Sequence, residues 1–367
     1  MAKKLLSILV FSFLFFSCSD EKEITPLDRF LEEIKIEPQL FYASTDSIIR
    51  VKGQKGTILT IDPNNIEFQN GEIPKEIRVE LIELTTTEEL LRNNVQTVSK
   101  GKWLISGGSF KISLFDREKP LSLKNGKTIS AVFPKIRNEN MQLFYGERGE
   151  QGEMNWEPKQ EFFEEELYYG ILNTLEVYTD TLRNEIYKVS GYYLIDTIVD
   201  SLGYSSMENH RQFFEDQNVE FISINQDTIK GYLAEVASDS TLFNLSDLVF
   251  TNVYKSIEIN KLGWINIDAF YPEVEDRVTY EVTFDIPINH VKLFVVDKSN
   301  NTVVNIFSNN DKYLIDLPVE MEFTFIALGI KGEELYSSKK TVQVKDSKVL
   351  RMKVEIISES DKEYIFK

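Results

Sequence analysis

The sequence has little of the chemistry on which most enzyme and metal sites depend. Its 367 residues include one cysteine, Cys18, and two histidines, His210 and His290. A single cysteine excludes an intramolecular disulfide and a zinc site built from several thiolates. No HExxH motif, no phosphate-binding glycine loop and no GxSxG nucleophile motif is present. The sequence therefore predicts no catalytic residues, no cofactor and no metal site, and we expect a protein that is not an enzyme.

Positive charge is also scarce. The chain has 41 lysines and arginines against 59 aspartates and glutamates, a formal net charge of −18. Such a surface repels the phosphate backbone, so the composition argues against a nucleic-acid partner. Hydrophobic residues make up 42% of the chain, which is enough for packed cores. The length allows two or three domains.

Long hydrophobic runs are equally rare. The one clear run, Leu5–Ser17, follows Lys3 and Lys4 and is shorter than the roughly 20 residues that a membrane helix needs. A basic start, a short apolar segment and a small residue before Cys18 resemble a lipoprotein signal peptide. The resemblance implies that residues 1–18 are the signal and that the Cys18 thiol is lipidated with diacylglycerol, carrying fatty acids such as palmitate. Two other interpretations stay open: an incidental cysteine in an ordinary signal, and an uncleaved anchor.

The residues after Cys18 bear on the compartment. Ser19 resembles the residue found in lipoproteins that are passed to the outer membrane, and the acidic run Asp20–Glu23 resembles the surface-export signal of Bacteroidetes-type lipoproteins. An acidic run is also typical of a solvated linker. We expect attachment to the outer membrane through the N-terminal lipid. Exposure at the cell surface and location on the periplasmic side are the two alternatives. Residues 19–44 are expected to form a tether with a short helix near Leu27–Ile36.

Strand patterns follow and predict a β-sandwich over residues 45–158. Apolar and polar residues alternate at Ile77–Leu81, Phe110–Leu114 and Ile129–Phe133, the period of two that marks a half-buried strand. Short strands of this kind, separated by turn residues, favour a sandwich.

Local signals predict one helix and two turns in this region. Thr86–Glu89 fits a capping box, which starts a short helix. Gly107–Gly108 and Asn125–Gly126 are expected to mark turns.

Four segments carry a resemblance to a known family: Gly56–Thr57, Ile77–Leu84, Thr97–Phe110 with its Ser106–Phe110 end, and Ala131–Pro134. Together they resemble the ZU5-like β-sandwich of uncharacterised Bacteroidetes-type secreted lipoproteins. The resemblance implies a protein-interaction module. Some eukaryotic relatives cleave themselves at a His-Phe-Ser sequence, which is absent here, so the resemblance does not imply self-cleavage.

A second strand-rich block is predicted over residues 254–367. Alternation at Val278–Phe284 and Met321–Ala327 favours an Ig-like or transthyretin-like sandwich. Phe323 and Phe325 share one face and are expected to point into its core. We expect the two sandwiches to be separate folding units.

Residues 159–253 differ from both flanks. They open with the acidic segment Glu161–Glu166 and contain one plausible helix, Ser206–Asp216, among strand-like pieces. The whole chain is therefore expected to be mainly β, with two sandwiches and a variable α+β insertion between them.

A short motif recurs six times in the chain. Aspartate followed by Ser or Thr, and then by Ile, Leu or Thr, resembles the O-glycosylation acceptor motif of Bacteroidetes-type exported proteins. Because these residues are also common in β-turns, ordinary composition explains the motif equally well. The acceptor residues would be Ser47, Thr181, Thr197, Ser201, Thr228 and Ser240.

The expected function is that of a lipid-anchored, non-catalytic interaction or structural module of the envelope, with an unknown protein or glycan partner. The alternative is a glycan-binding or glycan-hydrolysing surface lipoprotein. Paired carboxylates can hydrolyse glycosidic bonds, and aromatic rings can pack on the apolar faces of sugars. For that stacking role the candidates are Trp103, Trp156 and Trp264, each of which is also suited to a place in a core.

Overall fold

The chain is mainly β. The computed structural model describes residues 25–68, 71–149, 152–172, 192–194, 248–310, 312–345, 349–358, 360–362 and 364–367. Up to residue 162 the elements are α1 (Pro26–Glu33), β1 (Gln39–Ser44), β2 (Ile49–Lys52), β3 (Ile58–Ile61), a 3₁₀ turn (Pro63–Asn65), β4 (Ile66–Glu67), β5 (Glu76–Leu84), α2 (Thr87–Arg92), β6 (Val98–Ser99), β7 (Lys102–Asp116), β8 (Lys119–Leu123), β9 (Ile129–Val132), β10 (Gln142–Arg148) and β11 (Met154–Phe162).

The remaining elements are all strands. They are β12 (Glu165–Leu172), β13 (Tyr192–Leu194), β14 (Leu248–Tyr254), β15 (Ile257–Ile259), β16 (Gly263–Phe270), β17 (Arg277–Phe284), β18 (Asn289–Asp297), β19 (Thr302–Ile306), β20 (Ser308–Asn309), β21 (Lys312–Pro318), β22 (Glu322–Lys331), β23 (Glu334–Gln343), β24 (Val349–Met352) and β25 (Glu355–Ile356).

The N-terminal sandwich consists of two sheets. The large sheet has the strand order β1-β5-β7-β16-β10-β11, with β4, β6 and β8 attached to it. The small sheet has the order β15-β9-β3-β2. A single apolar core includes Val79 and Phe110 from the large sheet and Leu59 from the small one, each completely buried. The alternation predicted in β5 therefore reflects one side of this strand facing that core.

The strands that complete this sandwich come from the far side of the insertion. β15 pairs with β9, and β16 pairs with both β7 and β10. The prediction begins the C-terminal sandwich at residue 254, whereas residues 257–270 pair with strands of the N-terminal sandwich. The segment 159–253 thus interrupts that sandwich and does not separate the two sandwiches. Local alternation identifies strands but not their partners, which are set by packing in space.

Part of the predicted tether, residues 19–44, belongs to the folded body. α1 begins with a capping box between Thr25 and Asp28, and it buries Leu27 and Phe30 on one face. Residues 39–44 are β1, which pairs with β5. The short helix was predicted, but its burial was not, because nothing in its sequence shows what it packs against.

One predicted turn is wrong. The capping box of Thr86 and Glu89 is confirmed at the start of α2, and the turn at Asn125–Gly126 is confirmed. Gly107–Gly108, in contrast, lies inside the long strand β7, where the pairing with β16 shifts by one residue. A Cβ at Gly107 would lie 2.7 Å from the carbonyl oxygen of Ile267, so this glycine permits a close approach of two backbones.

The C-terminal sandwich has its own two sheets, with orders β20-β21-β17-β24 and β19-β18-β22-β23-β25. Phe323 and Phe325 point into the core between them, as predicted. Thr324, on the opposite face of β22, is also buried, at 5% exposure. Both faces of β22 are therefore covered.

The cover on the second face is a core that the two sandwiches share. Phe144 and Trp156 of the large sheet belong to the same apolar cluster as Phe294 and Ile326 of the C-terminal sandwich, and Phe30 of α1 joins them. All five side chains are at most 1% exposed. A continuous buried contact of this kind favours one cooperative body, in contrast to the expectation of separate folding units.

Hydrogen bonds to backbone carbonyl groups also join the two sandwiches beside the shared core. The amide of Thr97 donates to the carbonyl oxygen of Val303 at 2.7 Å, and the Thr302 hydroxyl donates to the carbonyl oxygen of Leu104 at 2.7 Å. Both bonds are buried, where an unpaired polar group would be costly.

No helix in the part of the chain that the structure describes has the length and apolar character to span a bilayer.

Candidate functional site

The segment between β11 and β15 is carried on an antiparallel pair of strands. β12 pairs with β14 from Glu165 opposite Tyr254 to Ile171 opposite Leu248, and β13 pairs with the other edge of β12. We call the β12–β14 pair the stem. The stem brings the two ends of residues 173–247 to neighbouring positions. An insertion joined in this way extends the sandwich without changing the path of its core strands.

The base of the stem is fixed in the core of the N-terminal sandwich. Phe163 and Tyr254 are 8% and 2% exposed, and their ring centroids lie 5.0 Å apart. Phe163 also makes an edge-to-face contact with Phe133, at 6.1 Å. The Tyr254 amide donates to the carbonyl oxygen of Phe133 at 3.0 Å. An ion pair between Lys255 and Glu164, at 2.9 Å, closes the base on the solvent side.

α1 and the stem base lie on opposite sides of the large sheet. Leu27 and Phe30 of α1 pack into the core shared with the C-terminal sandwich, on the outer face of the sheet. Phe163 and Tyr254 pack into the core between the two sheets, on the inner face. The chain that enters at α1 and the chain that leaves through the stem are therefore separated by the large sheet.

Most of the predicted modification sites lie outside the described residues. This applies to Cys18 and to five of the six glycosylation candidates: Thr181, Thr197, Ser201, Thr228 and Ser240. Ser47 is described, and it lies on an exposed bend between β1 and β2. The neighbouring carboxylate of Asp46 accepts a hydrogen bond from Ser44 at 3.1 Å.

None of the three tryptophans is an open stacking surface. Trp156 is completely buried and donates from Nε1 to the carbonyl oxygen of Gln96 at 2.7 Å. Trp103 is in edge-to-face contact with Tyr271 and Phe323, each at 5.8 Å. Trp264 is half-buried, and the charged groups of two basic side chains lie within 6 Å of its ring. These belong to Lys111, at 5.9 Å, and Arg148, at 5.7 Å.

The two histidines contribute no site within the described residues. His290 is exposed in β18, at a positive φ of 50° beside a register shift, and His210 lies outside the described residues. In the described part of the chain, no group of three or more His, Cys, Asp or Glu side chains is arranged to hold a metal ion.

A buried polar cluster lies at the bulge between β7 and β16. The Ser109 hydroxyl donates to Oδ1 of Asn266 at 2.8 Å, and Nδ2 of Asn266 donates to Oδ2 of Asp268. All three residues are completely buried, and Oδ1 of Asp268 has no hydrogen-bond partner among the described residues. Complete burial raises the pKa of the Asp268 carboxyl well above its usual range, although Ser106 and the Gly107 amide oppose the shift.

A second polar cluster joins the two sandwiches. Oδ2 of Asp297 accepts hydrogen bonds from the Tyr271 hydroxyl and from Nδ2 of Asn300, both at 2.7 Å, and Oδ1 accepts from Ser299. Burial alone would raise the pKa of Asp297, but these hydrogen bonds outweigh it and lower the pKa. The same contact, together with burial, raises the pKa of Tyr271. The cluster fixes the turn after β18, where the exposed Ser299 is held by its hydrogen bond to Asp297.

The outer face of the large sheet is covered at one end only. At the other end, which we call the open face, Tyr42 of β1 lies opposite Arg78 of β5, which lies opposite Phe115 of β7. Leu40, Glu80 and Ser113 form the next row of the open face. Tyr42 is 64% exposed and Leu40 51% exposed.

The open face ends at a groove beside α1. The groove has a volume of about 200 Å³ and is lined by Lys35, Glu37, Glu80, Lys111 and Ser113, among others. Lys111 forms no ion pair and no hydrogen bond with any described residue, apart from the contact of its ammonium with the Trp264 ring. Burial lowers the pKa of Lys111, and the positive charge of Lys35 lowers it further.

No family model matches this chain, and neither the curated proteins nor the solved structures contain a match to it. The resemblance to ZU5-like lipoproteins stays a prediction.

Sequence reasoning missed the stem base and the open face. Phe163, Tyr254 and Tyr42 are single aromatic residues in strand-like segments, and their roles depend on which face of a sheet is covered. The one available signal is the acidic segment Glu161–Glu166, which spans the end of β11 and the start of β12.

Proposed function

We propose that the chain is a lipid-anchored, non-catalytic module of the bacterial envelope, which presents residues 173–247 to a protein or glycan partner. The observation that carries the proposal is the stem: β12 and β14 hold the two ends of this segment together above a base packed into the sandwich core. A rigid scaffold that supports a variable insertion is a common arrangement for recognition, because the scaffold tolerates changes in the segment.

The position of α1 supports the anchoring part of the proposal. α1 is fixed on the outer face of the large sheet, and the stem base lies on the inner face. A chain attached through a lipid at Cys18 would therefore reach the body on one side of the sheet and present its insertion from the other. Two or three acyl chains anchor stably, since each buried CH₂ contributes about 0.8 kcal/mol.

The absence of catalysis remains part of the proposal. The buried clusters around Asp268 and Asp297 consist of groups that bond to one another and stabilise backbone positions. Their carboxylates are 0% and 2% exposed, so a substrate has no access to them. These two clusters therefore fit a structural role.

The decisive test removes the insertion and keeps the body. Residues 172–247 are replaced by Asn-Gly, which joins Ile171 to Leu248 through a two-residue hairpin. Both forms are displayed on envelope vesicles of the source cell, and cross-linked partners are compared. The proposal expects a saturable partner of the full chain that the shortened chain loses. If the shortened chain retains that partner with equal yield, the insertion is not the recognition segment.

The anchor is tested separately with Cys18→Ala. The proposal expects loss of fatty-acid labelling and release of the protein from the membrane fraction, with Ser19→Ala as a matched control that keeps both. A Cys18→Ala protein that is still labelled and still sediments with membranes contradicts the anchoring part alone.

A further inference from the structure

The open face of the large sheet offers a second recognition surface that does not involve the insertion. It is formed by two rows of side chains on β1, β5 and β7, namely Tyr42, Arg78 and Phe115 in one row and Leu40, Glu80 and Ser113 in the other. Elsewhere on this face Leu104, Phe144 and Trp156 are covered by α1 and the C-terminal sandwich, while Phe270 beside Phe144 is 40% exposed. The open face is the part of this sheet that lies next to the groove and is available to a ligand.

The side chains of the open face are a mixture of one exposed ring, the exposed Leu40 and several polar groups. Tyr42 presents an aromatic surface at 64% exposure, on the edge strand β1. Beside it the Arg78 guanidinium packs 4.7 Å from the centroid of Phe115 and bonds to Glu80 at 2.9 Å. A ring flanked by hydrogen-bonding groups suits a sugar, whose apolar face stacks on the ring while its hydroxyls bond to the polar groups.

The charge at the end of the open face points to an acidic ligand. Lys111 is half-buried in a protein of net charge −18, yet it has no carboxylate partner within the described residues. Two of the three carboxylates that line the adjoining groove are already paired: Glu80 with Arg78 at 2.9 Å, and Glu32 with Lys35 at 3.0 Å. Glu80 attracts the Lys111 ammonium from beyond ion-pair distance and is itself bonded to Arg78, so this half-buried ammonium gains from a ligand that brings a negative charge.

We propose that the open face binds an oligosaccharide that carries carboxylate groups, with a sugar ring stacked on Tyr42 and a carboxylate paired with Lys111. The two residues are separated by four positions along a strand and by two strands, which is roughly 17 Å at about 3.4 Å per residue and about 4.8 Å per strand. A chain of several sugars spans that distance along the rows described above. Burial lowers the pKa of Lys111, the charges of Lys35 and Arg148 lower it further, and Glu80 partly opposes them, so a bound carboxylate would favour the ammonium form.

The test uses the purified full chain and two acidic probes, tetragalacturonate and tetramannuronate, with their methyl esters as uncharged controls. Calorimetric titration is expected to give saturable binding of at least one acid and at least tenfold weaker binding of its ester. Lys111→Met is expected to weaken binding of the acid at least tenfold and to leave binding of the ester unchanged. Lys111→Arg keeps the charge and is expected to keep most of the affinity. Tyr42→Ala is expected to weaken both ligands.

Matched controls come from the same protein. Lys102→Met removes a lysine from the same strand β7, where it pairs with Glu273 at 3.4 Å, and Tyr364→Ala removes a ring that is 62% exposed elsewhere. Neither is expected to change binding. The proposal is overturned if neither acid binds, if the ester binds as well as the acid, or if Lys111→Met and Lys102→Met weaken binding equally. Since the insertion takes no part, the chain shortened at 172–247 is expected to bind as the full chain does.

Discussion

The two ends of the outer face of the large sheet differ in how far their side chains are buried. At one end Phe144 and Trp156 are completely buried beneath α1 and the C-terminal sandwich. At the other end Tyr42 and Leu40, on the same face of the same sheet, are more than half exposed. Both ends belong to one continuous hydrogen-bonded sheet, so membership of the sheet does not explain the difference. Burial is decided by which elements pack on the sheet, and the part left open keeps polar groups together with the exposed Tyr42 and Leu40.

The largest difference is expected from aromatic truncations at the two ends. Phe144→Ala should lower the free energy of unfolding by about 3–5 kcal/mol, because it removes a buried ring and leaves a cavity. Tyr42→Ala, on the same face, should change it by less than about 0.5 kcal/mol. Chemical denaturation of both variants measures this directly. Equal losses would mean that the open face is covered in solution.

A second comparison concerns β22, whose two faces are both covered. Phe325→Ala, in the core of the C-terminal sandwich, should cost about 3–5 kcal/mol. Thr324→Ala, on the face shared with the N-terminal sandwich, removes a hydroxyl paired with Thr341 at 2.9 Å and should cost about 1 kcal/mol. If Thr324→Ala proves the more damaging change, the strand register differs by one residue.

The buried cluster at β7 and β16 is expected to make the stability of the protein depend on pH. The folded pKa of Asp268 is raised, so its contribution to stability is fully present below the unfolded pKa of 3.8 and is lost as the pH rises through the folded pKa. Asp268→Asn removes this loss. The melting temperature of the variant, relative to that of the parent, should therefore rise as the pH increases from about 4 to 8.

The control for this titration is Asp297→Asn, because the pKa of Asp297 is lowered. That carboxylate contributes stability above its unfolded pKa and loses it as the pH falls through the folded pKa. The difference from the parent should thus be greatest at neutral pH and shrink in acid. A parallel pH dependence of the two variants would contradict the assignment of a raised pKa to Asp268.

A smaller effect is expected at the start of α2, which covers part of the buried end. Thr86→Ala removes the hydroxyl that accepts from the Glu89 amide, and should cost about 1 kcal/mol. Thr87→Ala, one residue further on, leaves the cap intact and should be nearly neutral. Thermal unfolding distinguishes the two, and equal effects would rule out a capping role for Thr86.

Sequence reasoning succeeded where a local pattern determines a local structure. The alternation in β5, the inward face of Phe325 and the capping box at Thr86 all follow from residues close together in the chain. It failed where distant segments meet. Gly107 looks like a turn residue, yet it allows a neighbouring strand to approach.

The same limit explains the misplaced boundary and the missed candidate site. β15 and β16 have ordinary strand patterns, and only their partners assign them to the first sandwich. The exposure of Tyr42 and the isolation of Lys111 likewise depend on where α1 and the second sandwich pack. No alternation or motif near these residues carries that information.

The two sandwiches share a core and should unfold as one body whether or not the insertion is present. Scanning calorimetry of the chain with residues 172–247 replaced by Asn-Gly measures this. We expect a single transition whose midpoint lies within about 2 °C of that of the full chain, a change of less than about 1 kcal/mol for a chain of this size. A large fall in the midpoint, or two separate transitions, would contradict it.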